Sequence, residues 1–345
     1  MNKNLILETK PQFNLMLRFC SINFVVALVV VTIITFVSFF FFVVTNDFTE
    51  SSLNLYKMIS LGSFLIVMLL ALFLNKMNYL VTKYQIYSDK IYFEEGFIDY
   101  KSKAVNLADV KEIQFTQNFF QRAVGLGTIK FLSPANAPTG NSYSNSGVEF
   151  KDIKNGQEIY EKIKEIFGLN NDLVLETKPK FNLGVRAVTD IFWAAISDFF
   201  VFLVYMLLLL YAAFTSCFMH NMDVADKVFD TGMSLAVPVL IGVYIITLVI
   251  TLFVAKKRYE NSSYKAYSDH IEFNEGFINY KHKFIKLDNI KEIHLLQSFI
   301  ERMAELGTIR FVSAGTGTIY DGITFSDIPN SLAVYTKVKQ LHEEN

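Results

Sequence analysis

The stretch YSDKIYFEEGFIDYKSK, residues 87–103, decides how this chain is read, because it returns as YSDHIEFNEGFINYKHK at residues 267–283. Both are short runs rich in Tyr, Ile and Phe, broken at Ser-Asp and Glu-Gly. Aromatic and β-branched runs bounded by such pairs read as strands joined by tight turns. The likeness extends outward. Residues 84–133 recur as residues 264–313 without a gap, with about half of the positions identical. Within them QNFFQRAVGLGTIKFLS (117–133) is answered by QSFIERMAELGTIRFVS (297–313). Upstream, LILETKPQFNL (5–15) reappears as LVLETKPKFNL (173–183). A period this long lies far above that of solenoids, so the pattern describes a duplicated domain and not a stacked array.

Each copy carries the same series of elements. In the first, residues 84–88, 90–94, 97–107, 110–115, 128–132 and 148–151 have strand patterning, with a polar loop at 134–147. Residues 157–167 then show helical spacing, with Ile159, Ile163 and Ile166 on one face; in the second copy residues 332–341 do the same with Val334, Val338 and Leu341. Several strands closed by one helix predict a small antiparallel barrel or sandwich plugged by its C-terminal helix.

Between the repeated segments the chain is intensely apolar. Of 345 residues 52% are hydrophobic and 19% charged, with 34 Phe and 17 Tyr, which excludes a disordered chain and disfavours an ordinary soluble domain. Four blocks stand out, at 19–44, 55–74, between 191 and 219, and at 233–255; about twenty such residues span a bilayer as a helix. The first is too long for a signal peptide and lacks a small-residue cleavage site. Lys3, Lys10 and Arg18 precede block one, Lys76 follows block two, Lys178, Lys180 and Arg186 precede block three, and Lys256, Lys257 and Arg258 follow block four. The two short connectors hold one Lys each, Lys57 and Lys227. The positive-inside rule therefore places both termini and every large polar segment in the cytoplasm. The expected fold class is a multi-pass α+β membrane protein: two transmembrane helical hairpins, each followed by a cytoplasmic β-barrel or sandwich with a C-terminal helix. The expected division is a cytoplasmic ETKP segment (1–18), hairpin one (19–77), domain one (78–168), a second ETKP segment (169–186), hairpin two (187–258) and domain two (259–345). Gly62 and Gly242, at equivalent places in the second and fourth blocks, are expected to let helix backbones approach closely.

The chemistry on offer is sparse. A formal net charge of −1 gives no bulk attraction to nucleic acid, and Cys20 and Cys217 make neither a disulfide framework nor a zinc site. His220, His270, His282, His294 and His342 show no metal spacing. No phosphate-binding Gly-rich loop, Gly-x-Ser-x-Gly or His-Glu-x-x-His occurs, so no catalytic residue, cofactor or metal is expected. Asp190 and Asp198, at the start of and within the third apolar stretch, stand either as a buried polar contact or on an interfacial segment.

The chain resembles the bacterial pleckstrin-homology (PH) domain membrane proteins of the YdbS/YdbT type. The resemblance is carried by the Tyr-Ser-Asp opening, by Gly96 and Gly276, and by Gln-x-Phe-x-x-Arg…Leu-Gly-Thr-Ile. That motif is Gln117, Phe119, Arg122 and Leu126 to Ile129 in copy one, and Gln297, Phe299, Arg302 and Leu306 to Ile309 in copy two. Copy two departs at Glu305, where copy one has Gly125. The resemblance implies a PH-like fold in both copies and a place in the bacterial cytoplasmic (inner) membrane. Phosphoinositide-binding PH domains carry a basic cluster between their first two strands, where this chain has only Ser88-Asp89 and Ser268-Asp269.

Two residue sets remain as candidates. Gln117 with Arg122, and Gln297 with Arg302, belong to a connector at one end of each barrel. There the guanidinium either ties connector carbonyls together or holds a phosphate or carboxylate. Lys101 and Lys103, with Lys281 and Lys283, alternate on one strand face, either solvated or facing anionic lipid. The functional expectation is a non-enzymatic, membrane-anchored binding or scaffold protein that presents two PH-like modules at the cytoplasmic surface. The alternative is an accessory or subunit of a transport or export system. Expected partners are the lipid bilayer and another protein, not nucleic acid, with a homo-oligomer left open.

Overall fold

The computed structural model describes residues 4–19, 50–133, 147–186, 222–313 and 322–344, together with residue 32 and several helical positions between 195 and 206. Copy one contains β1 (Leu5–Thr9), α1 (Leu15–Phe19), α2 (Glu50–Val81), β2 (Lys83–Tyr87), β3 (Lys90–Glu95), β4 (Lys101–Asn106), β5 (Glu112–Gln117), α3 (Phe119–Ala123), β6 (Leu126–Leu132), β7 (Gly147–Lys154) and α4 (Gly156–Ile166). Copy two contains β8 (Leu173–Thr177), α5 (Met222–Glu260), β9 (Ser263–Tyr267), β10 (His270–Gly276), β11 (Tyr280–Lys286), β12 (Ile290–Leu296), α6 (Phe299–Met303), β13 (Leu306–Ser313), β14 (Gly322–Pro329) and α7 (Ser331–Glu344).

In each copy a four-stranded antiparallel sheet faces a three-stranded one, and the C-terminal helix closes the core. These are two tandem PH-like domains. In the first, Tyr84 stacks on Phe150 with ring centroids 4.6 Å apart. In the second, Tyr264 stacks on Phe325, also at 4.6 Å. Of the expected stripes, Ile163 on α4 and Val334 and Val338 on α7 are buried, Ile159, Ile166 and Leu341 pack partly buried against the cores, and Tyr160, outside the expected stripe, is buried beside Ile163.

Local patterning placed most strands within a residue or two, with three differences. The ETKP segments are not separate flanks: β1 pairs antiparallel with β2, and β8 with β9, so each is the first strand of its sheet. The third strand does not span 97–107 but starts at Lys101. Phe97, Ile98 and Tyr100 lie before it in an exposed bend, where Gly96 adopts φ +121 and a Cβ would sit 1.8 Å from the Asp99 carbonyl oxygen. The Gln-x-Phe-x-x-Arg connector contains a short helix, α3 or α6, started by a capping box in which Asn118 or Ser298 pairs with Gln121 or Glu301.

The two domains are fused. Strand β5 of domain one pairs antiparallel with β11 of domain two, giving one seven-stranded sheet in the order β7-β6-β5-β11-β10-β9-β8. Phe284 of β11 is buried in the core of domain one beside Tyr160 and Phe167.

Helices α2 and α5 run almost directly into β2 and β9. They contain two apolar stretches, Leu61–Val81 and Pro238–Glu260, long enough to cross a membrane. Gly62 lies on α2 and Gly242 on α5; among the described residues a Cβ at either would meet nothing within 4 Å, and the helix partners expected for them, blocks one and three, lie largely outside the described residues. The first apolar block after Phe19, most of the third, and Asp190 lie outside the described residues.

Candidate functional site

Each domain is fastened to the end of its apolar helix by the same three residue types. In domain one, the Asp152 carboxylate accepts hydrogen bonds from the Arg18 guanidinium and the Tyr79 hydroxyl, and Gln121 Nε2 donates to its Oδ1 at 2.7 Å. In domain two, Asp327 accepts from the Tyr259 hydroxyl and pairs with Arg186 at 3.3 Å, and Arg186 Nε donates to the Tyr259 oxygen at 2.7 Å. Each guanidinium also lies over its tyrosine ring, 4.9 Å from the centroid.

A β-bulge aims the aspartates. Between the partners Gly127↔Ile153 and Ile129↔Phe150, Lys151 and Asp152 face the single residue Thr128; Ser326 and Asp327 face Thr308 in the same way. Asp152 has φ 51 and Asp327 φ 52, a left-handed conformation that Asp tolerates better than most residues. The carbonyls turned outward there accept from Gln12 N at 2.8 Å and Lys180 N at 2.9 Å, pinning the ETKP segments. The clasp thus joins the chain entering the first apolar block, the helix leaving the second, and the last strand of the domain. Arg18 and Arg186 were legible only as positive flanks. The sign that the clasp exists is that Tyr79 and Tyr259, and Asp152 and Asp327, also recur between the copies.

Beside the second clasp lies a polar cleft of about 260 Å³, lined among others by Arg186, Arg258, Glu275, Lys281, Lys283 and Ser326. Arg258 Nε is 3.2 Å from Glu275, and Lys283 is committed to Glu112 at 3.0 Å and to the Gly322 carbonyl at 2.8 Å. Among the described residues no hydrogen bond or ion pair reaches the Lys281 ammonium. Burial, then the neighbouring Lys283, push its pKa below the ordinary lysine value. Copy one has Asn78 where copy two has Arg258, and there Asn78 Oδ1 accepts from Phe97 N at 3.2 Å. Of the four basic residues of this cleft, Arg258 alone lacks a basic counterpart in copy one, where Arg18, Lys101 and Lys103 answer Arg186, Lys281 and Lys283. Among the described residues no group of three or more His, Cys, Asp or Glu is placed to hold a metal ion.

The remaining sequence candidates divide by role. Gln117 Nε2 donates to the Leu126 carbonyl at 2.7 Å, and Gln297 Nε2 to the Leu306 carbonyl at 2.9 Å, each closing its own connector. Among the described residues the Arg122 guanidinium donates across the domain boundary, from Nη1 to the Phe277 carbonyl at 2.9 Å. Arg302, its counterpart, is exposed. Lys101 is exposed, and Lys103 donates to the Gly147 carbonyl at 2.7 Å.

Paired sheets closed by a C-terminal helix and repeated in tandem define a double PH-domain protein. The comparison with protein families agrees: the model of the bacterial PH domain matches residues 12–166 and again 196–342, and the chain belongs to that family. No curated protein matches the chain.

Proposed function

We propose that the chain is a non-enzymatic scaffold of the bacterial cytoplasmic membrane. Four helices cross the bilayer as two hairpins, and both PH-like domains and both termini face the cytoplasm. PH domains as a class bind and do not catalyse, and the fused sheet presents the two as one rigid platform. The clasps carry this reading. They fix each domain directly at the end of an apolar stretch, which in this reading is the depth of the lipid headgroups.

The binding site in this reading is the cleft of domain two. Arg186, Arg258, Lys281 and Lys283 converge there next to the end of Pro238–Glu260, and the uncommitted Lys281 is the group left to meet an anion. An anionic lipid headgroup supplies one, with each basic side chain near such a surface worth about 1 kcal/mol. The test is thermal unfolding of the full chain in nanodiscs of phosphatidylcholine with or without phosphatidylglycerol. Anionic lipid is expected to raise the melting temperature, and Lys281→Gln with Arg258→Gln to remove most of that rise. An equal melting temperature in both lipids overturns the lipid assignment.

A further inference from the structure

We propose that the chain associates head to tail with further copies of itself, the β12 edge of one copy pairing with the β4 edge of the next. The fused sheet leaves one of each edge type unused. Strand β5 is paired with β11. Their repeat counterparts, β12 and β4, form the outer edges of the three- and four-stranded sheets and among the described residues have one neighbour each. An unpaired edge is a template for another strand, and a relation that joins unlike edges can repeat from copy to copy.

The two free edges are complementary in the register that the internal junction uses. There Lys283 faces Gln114 and Ile285 faces Glu112, which brings Lys283 Nζ 3.0 Å from the Glu112 carboxylate. Carried over, Lys103 faces His294 and Val105 faces Glu292, so Lys103 comes to Glu292. Both edges are already set as their counterparts are. Lys103 Nζ donates to the Gly147 carbonyl at 2.7 Å, as Lys283 does to that of Gly322 at 2.8 Å. His294 Nε2 lies 2.8 Å from Glu292, where Gln114 Nε2 donates to Glu112 at 2.5 Å. Charges on an edge ordinarily prevent pairing, but here they are opposite in sign and in reach of each other. Arg302 has the place from which Arg122 reaches the Phe277 carbonyl, and Phe97 is its target on the next copy. Asp99 stands for Asn279, whose Oδ1 accepts from Phe119 N at 3.2 Å, and can accept from Phe299 N.

Exposure follows the same logic. Tyr100 is 68% exposed, whereas its counterpart Tyr280 packs against the core of domain one, and Leu296 on the β12 edge is 43% exposed. Ala104 and Ser102 stand where the internal junction has Phe284 and His282, so the contact between copies lacks that plug and is the weaker of the two.

The test uses the full chain in membranes with Cys20 and Cys217 replaced by Ser. Two differently tagged forms are co-expressed, one with Ser102→Cys and one with Leu295→Cys, which face each other in this register, and then oxidised. The expected result is a mixed disulfide dimer. Lys103→Glu in the first form, or Glu292→Lys in the second, should reduce it at least fivefold, and both together should restore it. The restoration separates lost pairing from lost folding. No mixed disulfide, a Ser102→Cys homodimer formed in preference, or failure of the double reversal to restore cross-linking overturns the proposal.

Discussion

Glu112 of the first domain and Lys283 of the second form an ion pair at 3.0 Å, with the Glu112 side chain fully buried. Within its own strand Glu112 accepts from Gln114 Nε2 at 2.5 Å; across the junction it meets Lys283 and, at 3.5 Å, the Ser313 hydroxyl, and these two partners are held only while the domains stay joined. Removing one member of a buried pair leaves the other charge stranded, at a cost of about 3–5 kcal/mol. Lys283→Ala is therefore expected to lower stability by about that amount in chemical denaturation of the solubilised chain. The double change Glu112→Met with Lys283→Met should recover most of the loss.

The junction should also weaken in acid. His282 packs against Tyr280, Tyr160 and Phe115, and burial pushes its imidazole down to about 4. Burial alone would raise the nearby Glu272 carboxyl, but the adjacent His270 imidazole and the Lys164 ammonium paired with it outweigh burial and hold Glu272 at about 2. Both folded-state values lie below the ordinary ones of 6.5 and 4.5. The stabilisation is thus fully present above pH 6.5. The histidine part is lost as pH falls through about 4, and the glutamate part as it falls from 4.5 through about 2. His282→Gln should flatten the melting-temperature profile between pH 6.5 and 4, removing about 1–3 kcal/mol of pH dependence. An unchanged profile assigns the acid sensitivity elsewhere.

The clasp can be tested without disturbing its bulge, because Asn accepts the left-handed conformation as readily as Asp. Asp152→Asn and Asp327→Asn remove the charge that Arg18 and Arg186 meet. Each should cost about 1–3 kcal/mol and speed hydrogen exchange in β1 or β8 respectively. Exchange that stays slow in both strands would show that pairing with β2 and β9 holds the segments unaided.

Glu305 has φ 55 where its counterpart Gly125 has φ 68, so the connector keeps its shape without the glycine. Glu305→Gly relieves a left-handed side chain and is expected to stabilise domain two by about 1 kcal/mol. Gly125→Ala should destabilise domain one by a similar amount through its backbone alone, since a Cβ there meets nothing within 4 Å. Thermal melts of the two variants should move in opposite directions.

Topology has its own check. In a background lacking Cys20 and Cys217, Cys at Ser52 or Asp223 should react with an impermeant reagent added outside, and Cys at Asn141 or Asn261 should not. Outside labelling at Asn141 would invert the proposed orientation.

By itself the sequence determined the duplication, the strands and closing helices of each copy, the apolar blocks and the family. All of these are written in periodicity or composition over a few tens of residues, and Ile163 or Val338 finds the core because its own helix period puts it there. It did not determine which strands meet across the repeat. The edges β4 and β11 are near copies of each other, as are β5 and β12, and local patterning describes both members of each pair alike. Tertiary structure chose β5 with β11, where Phe284 fills the space beside Tyr160 and Lys164 reaches Glu272, in place of the Ala104 and Tyr92 of the other copy. The clasp escaped for the same reason. Arg18, Tyr79 and Asp152 lie far apart in sequence, each with an ordinary local explanation, and only a folded domain seated on its helix end brings one guanidinium, one phenol and one carboxylate to a single point.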